Sequence, residues 1–191
     1  MDVLADLLAR ARAQGAVFAR TTVGPDRGIA FGGRRLLAIH TVLSGQVWFE
    51  RDTSLHAETG DIVLVPAGAP YRAVPAPGAP TDPLIHAPPA PAPRAAAPAH
   101  AASLLCGAYT LDALLSDAIL APLPPLIVLR DARLDRVTAL LAEELSRPGP
   151  GEQTILDRAL DLLLVLGLRA YFTQPGASVP GWYAALDAPC L

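Results

Sequence analysis

The sequence contains no lysine and no asparagine, and all 15 of its basic residues are arginine. Its side chains can therefore supply no Schiff base and no catalytic ammonium. Charged residues make up only 17% of the chain and the net charge is −3, which is not the basic surface of a nucleic-acid binder. Cysteine is scarce. Cys106 and Cys190 are too few for a disulfide framework and too far apart for a zinc motif. No window reaches the roughly 18 uninterrupted apolar residues of a membrane-spanning helix. The opening MDVLADLLARARAQ carries Asp2 and Asp6 and lacks the apolar run of a signal peptide, so the expected location is the cytoplasm.

What is present is apolar: 52% of the 191 residues are hydrophobic, enough for one domain, or one domain with a helical appendage. Residues 2–13 read as a short amphipathic helix, capped by Asp2, with Leu4, Leu7, Leu8 and Ala11 on one face. From Ala16 to about Val74 the pattern becomes short β-rich runs: AVFARTTV, RGIAF, RLLAIHTVL, QVWFERD, SLHAET, DIVLV and PYRAV. Gly24-Pro25-Asp26, Gly32-Gly33, Ser44-Gly45 and Thr59-Gly60-Asp61 separate them with turn chemistry, the signature of a sandwich or barrel. Residues 75–98 hold nine of the 20 prolines and read as a loop, with one strand expected near Leu84–Ala87. The sheet resumes at residues 103–111, SLLCGAYTL, and LIVLR (126–130) is either a last strand or an extended link.

The remaining segments have helical period. Residues 113–120 suit a short helix, and 132–146 an amphipathic one with Leu134, Val137, Leu141 and Leu145 on its apolar face. Pro148-Gly149-Pro150-Gly151 stops it. Residues 152–173 form a longer helix whose LDLLLVLGL core, 160–168, is apolar almost all round. A surface helix needs one apolar stripe, so this one is covered on two sides, either entirely within the chain or by the barrel and a partner subunit. A homodimer is expected, with Leu156, Leu160, Leu163, Leu164, Gly167 and Tyr171 as dimerisation candidates. The expected division is therefore residues 1–130 as the β unit with its N-terminal helix and Pro-rich loop, and 131–191 as helical dimerisation segment and tail.

Within GDIVLVPAGAPYRA, the spacing Gly60-x5-Pro66-x-Gly68-x2-Tyr71 resembles the second conserved motif of the cupin superfamily, where a metal-binding His usually closes the pattern. HTVLSGQVWFE, 40–50, looks like the corner that ends the first motif, with Gly45 at the turn. Counting back from Gly45, the family's metal ligands fall on Ala38 for its Glu and on Arg34 and Gly32 for its two His. With Tyr71, all four ligand positions are substituted, so no cofactor is expected, although His40 and Cys106 stand as weak metal candidates. The order of AIHTVLSGQVWFE, GDIVLVPAGAPY, LLCGAYTLD, PLPPLIVLR, the two late helices and PGWYAALDAP is similar to the N-terminal sensing half of bacterial AraC-type transcription regulators. That resemblance implies a cupin-like jelly-roll barrel followed by two dimerisation helices. It also implies a helix-turn-helix DNA-binding half that would begin where residue 191 ends, so DNA would be contacted only through that half.

His40, Trp48, Tyr71 and Cys106 are the ligand-pocket candidates. His40 is either a hydrogen-bonded core residue or a polar contact in a cavity. Cys106 is either a small hydrophobe or a sensing thiol, which would need access and a lowered pKa. Tyr71 replaces the motif His. Trp48 and Phe49 point to opposite faces, so one of them is interior. The expectation is a sensor of an unknown small-molecule or redox effector, with no catalytic residues. The alternatives are a metal-dependent cupin isomerase or dioxygenase, or a redox switch at Cys106.

Overall fold

The strands pack as two sheets facing each other across an apolar interior. The computed structural model describes residues 17–32, 36–66, 69–85, 102–110 and 123–184. Ten strands are described: β1 (Val17–Val23), β2 (Gly28–Phe31), β3 (Leu36–Ser44), β4 (Gln46–Glu50), β5 (Ser54–Glu58), β6 (Ile62–Val65), β7 (Tyr71–Val74), β8 (Thr81–Ile85), β9 (Ala102–Thr110) and β10 (Ile127–Leu129). Helices α1 (Ala132–Glu144), α2 (Glu152–Phe172) and the single turn α3 (Gly181–Ala184) follow. One sheet has the order β1-β9-β3-β6-β10 and the other β5-β4-β7-β2-β8. The first, sheet A, is buried on both faces at its inner strands, so β6 reads Ile-Val-Leu-Val with every residue buried, while its edge strand β1 alternates, with Arg20 and Thr22 exposed. The second, sheet B, keeps one wet face, so β4 and β5 alternate, as such sheets require.

The chain crosses between the sheets at the two glycines that the motifs place at corners. Gly45 (φ 82°) links β3 of sheet A to β4 of sheet B, and Gly60 (φ 91°) links β5 back to β6. Both sit in the left-handed region that penalises a Cβ. The corners are stitched together: the Thr59 amide donates to the Gly45 carbonyl at 3.1 Å and the Gly60 amide to the Val42 carbonyl at 2.9 Å. Asp61 accepts the Glu58 amide at 2.8 Å. Arg130, at the end of β10, donates to Asp61 and Glu58 at 2.9 Å each. The GD pair of the motif thus ties the sheet corner to the residue that precedes the α1 cap, Asp131, whose carboxylate accepts the Arg133 amide at 2.7 Å.

Two apolar cores result, and their compositions differ. Among the described residues, the core between sheet A and the helices has 19 fully buried members, mostly leucine, such as Leu37, Leu64, Leu129, Leu141, Leu160 and Leu164. The core between the sheets has 16, of which four are alanine and five valine, the rest including Phe31, Phe49, Tyr71 and Cys106. LIVLR contributes a strand, β10, paired with β6. The strand expected near Leu84–Ala87 lies earlier, at β8, as the parallel edge neighbour of β2, and its register shifts opposite Pro83. An edge is where a residue without an amide proton is tolerated. The expected helices 2–13 and 113–120 lie outside the described residues.

The dimerisation candidates are corrected by the packing. Leu156, Leu160, Leu163, Leu164, Gly167 and Tyr171 are all buried within the chain, against sheet A and α1. A Cβ on Gly167 would come within 3.2 Å of Leu64 Cδ1. The apolar face of α2 is therefore consumed by its own barrel, and what it leaves exposed is Ile155 and Leu162. Leu160→Ala should cost about 2–5 kcal/mol of stability at any protein concentration. Leu162→Ala should change the stability of the isolated protomer by less than about 0.5 kcal/mol. Urea unfolding at two concentrations checks both.

Candidate functional site

Alternation along β3 divides its side chains between the two cores. Ala38 and Val42 face the interior between the sheets, while Leu37 and Ile39 face the helices. His40 falls on the interior side, and β9 sets Cys106 directly opposite it in the antiparallel register. Opposed side chains on paired strands lie within about 5.5 Å at Cβ, so two short side chains can touch. His40 Nδ1 lies 3.0 Å from Cys106 Sγ. Tyr71 opens β7 on the facing sheet, about 10 Å away, and its length spans the gap: its hydroxyl is 2.7 Å from His40 Nε2. Three of the four pocket candidates are thus one hydrogen-bonded chain, Tyr71–His40–Cys106, running from sheet to sheet.

Aromatic rings wrap the imidazole. Phe31 stacks on Tyr71 with centroids 4.9 Å apart and approaches His40 at 5.1 Å, and Phe49 closes the other side at 5.2 Å. Water is excluded, and the titration behaviour follows from that. Burial drives the His40 pKa down to about 3 and pushes the Cys106 thiol up to about 12, with Thr21 acting weakly in the opposite sense. Burial, and then the neighbouring Cys106, raises Tyr71. Charged forms lose most in such surroundings, so the chain is neutral throughout: imidazole, thiol and phenol. A buried thiol in that state is no nucleophile and no ready target for oxidants.

Trp48 does not belong to this site. Phe49 is the interior member of the pair, and Trp48 lies half-buried on the wet face of sheet B against His56, 4.8 Å between centroids. The residues do not fit a resident metal either. Both imidazole nitrogens of His40 are engaged by Tyr71 and Cys106, and no three His, Cys, Asp or Glu side chains converge among the described residues. At the family's ligand positions, Ala38 is interior and has no donor. Gly32 is half-buried, and Arg34 lies outside the described residues; Cys190 does too. The interior residue missed in the sequence is Thr21, buried with no hydrogen-bond partner for its hydroxyl. Its signal was the alternation Ala19, Thr21, Val23 along ARTTV, which places it on the face of Cys106.

On the far side of the same strand, Thr41 turns outward, and its hydroxyl lies 3.3 Å from that of Thr138 on α1. At the barrel end, Arg51 donates to the carbonyls of Pro66 and Pro125 at 3.1 and 3.4 Å, joining the motif corner to the segment before β10.

Comparison with known proteins agrees with this geometry. The cupin family model matches residues 2–173. The chain is a cupin. No curated protein sequence matches it. Among solved structures, this cupin resembles ToxT from Vibrio cholerae, at 8% identity and a TM-score of 0.50, with 85% of this chain and 59% of that one covered. A structure described as the AraC-like transcriptional activator CuxR aligns at 18% identity and TM-score 0.46, covering 80% of this chain and 49% of that one. A cupin protein from Bacteroides fragilis aligns at 14% identity and TM-score 0.35, covering 52% and 70%. The cupin thus spans only about half to three fifths of the two regulators' lengths.

The burial of His40 makes the fold sensitive to acid. Its folded pKa lies near 3 against an ordinary 6.5, so between these values the unfolded chain binds a proton that the folded chain refuses. Stability therefore falls as pH drops below about 6.5, at up to about 1.4 kcal/mol per pH unit. The wild type should lose stability more steeply than His40→Gln in denaturant unfolding between these pH values. Parallel curves would place the imidazole in contact with solvent.

Proposed function

We propose that this cupin is the sensing and dimerisation domain of an AraC-type transcription regulator, that it has no catalytic activity, and that it acts in the cytoplasm. DNA binding then falls to residues beyond these 191. The observation that carries the reading is β3 itself: His40 projects into the neutral interior, and the next residue, Thr41, projects onto Thr138 of α1. An effector that displaces groups around His40 would act on a strand already in contact with the helices. Regulation requires such an effector to favour one arrangement over another. The matched portions of ToxT and CuxR support the fold. ToxT has also been solved with an unsaturated fatty acid bound.

The dimer contact would use what α1 and α2 leave uncovered, Leu140 (50% exposed) and Leu162 (45% exposed), rather than the six residues buried in the core. A double variant, Leu140→Glu with Leu162→Glu, should convert the protein from dimer to monomer in sedimentation equilibrium while leaving its circular dichroism unchanged. The competing metal-enzyme reading predicts one tightly held Fe, Mn, Ni or Zn per chain, lost on His40→Ala. Elemental analysis of the purified chain should instead find only substoichiometric metal. A monomeric wild type with stoichiometric metal would replace the sensor reading with the enzyme one.

A further inference from the structure

β10 runs into α1 almost without a loop: only Arg130 and Asp131 separate Leu129 from Ala132. The antiparallel register pairs Leu129 with Ile62, so the next residue, Arg130, comes opposite Asp61 at the sheet corner. Its guanidinium spans two carboxylates, with Nε 2.9 Å from Asp61 Oδ1 and Nη2 2.9 Å from Glu58 Oε1. The two acids differ in exposure, 10% for the Asp61 side chain and 58% for that of Glu58. Asp61 is built into the corner: its Oδ2 accepts the Glu58 amide at 2.8 Å, and its carbonyl accepts the Val42 amide at 2.9 Å. A sheltered carboxylate holds a charged donor firmly, whereas an exposed pair adds little. On the other side of Arg130, Asp131 gathers the first turn of α1. Its carboxylate accepts the Arg133 amide at 2.7 Å, and its carbonyl accepts the amides of Leu134 and Asp135 at 2.9 and 3.2 Å.

We infer that Arg130 is a latch. It fixes the capped start of α1 to the barrel corner, and its release takes the cap off the helix without undocking the helix. Among the described residues, β10 is an edge strand of three residues paired to β6 alone, a weak backbone anchor for the cap that follows it. The Arg130 side chain is 57% exposed, so water and salt reach the guanidinium. The body of α1 is held separately, by Leu134, Val137 and Leu141 in the leucine core. The latch also gives β3 an ionic connection to α1 beside the Thr41–Thr138 contact. Val42, bonded to the Asp61 carbonyl, lies two residues from His40 on the same face. The use of that connection in signalling rests on the sensing role proposed above; the latch itself rests on the junction alone.

Amide hydrogen exchange followed by NMR on the full 191-residue chain tests the latch. Arg130→Met keeps the apolar stem and removes the charge. The amides of Arg133, Leu134 and Asp135 should then exchange about tenfold faster, as expected for a lost bond between charged groups. The amides of Ile39 in β3 and of Leu145 at the far end of α1 should keep their wild-type rates. Glu58→Gln, which removes the exposed half of the clasp, should accelerate the same three amides by less than about fivefold. In wild type, raising NaCl from about 0.05 M to about 1 M should also speed them, because the exposed pair is screened. The same salt step should leave Arg130→Met unmoved. Unchanged first-turn amides in Arg130→Met would overturn the latch. So would an acceleration spread equally over Ile39 and Leu145, because Arg130 would then support the whole fold rather than the junction. No effector enters the measurement, so a failed latch leaves the sensing role standing, and a failed sensing role leaves the latch standing.

Discussion

The centre of sheet A, β3 and β6, has no wet face, and the rest of the structure answers to that. A strand buried on both sides has no place for a polar residue unless it is paired, so β6 is four consecutive apolar residues and β3 is apolar except at His40, Thr41 and the exposed Ser44 at its end. Covering the outer face takes two helices, which is why α2 is apolar over most of its circumference although it lies near the surface. The two buried polar residues of β3 are each paired on their own side, His40 with Tyr71 and Cys106, Thr41 with Thr138. The interior site and the helical layer are therefore opposite sides of a single strand.

The barrel corners and the ligand positions answer to different demands. Gly45 and Gly60 are held by positive φ at the sheet crossings, a backbone demand independent of what the barrel contains. The ligand positions obey no such demand. Ala38 and Tyr71 stand at two of them, and His40 lies two residues from Ala38 on the same face, where it accepts and donates within the protein. The imidazole is held by the packing of Phe31 and Phe49 and by hydrogen bonds at both ring nitrogens. The same burial that holds the row together suppresses nucleophilic and acid–base chemistry, because every member is kept neutral.

Much of the barrel was legible in the sequence because its strands are short and punctuated: all seven runs from Ala16 to Val74 became strands with ends within two residues. Alternation also put Ala38, His40 and Val42 on one face. It could not say which face was interior, so Trp48 stands among the pocket candidates in place of Phe49, although Phe49 is the one that points inward. The convergence of His40, Tyr71 and Cys106 depends on the register of β9 against β3 and on the packing of one sheet upon the other, and neither is encoded in local pattern. Apolar periodicity likewise shows that α2 is covered but not by what, which is why leucines buried against its own barrel read as a partner surface.

The central claim is that a neutral imidazole is held inside the barrel between a phenol and a thiol. The most direct test is the ¹⁵N NMR spectrum of the His40 ring followed from about pH 7.5 to about pH 5, across the ordinary histidine range. A buried, doubly engaged His40 gives one pair of ¹⁵N resonances belonging to a single neutral tautomer, unmoved over that interval. Resonances that titrate to imidazolium with a midpoint near 6.5 would contradict the account, because a ring that charges so readily is in contact with water.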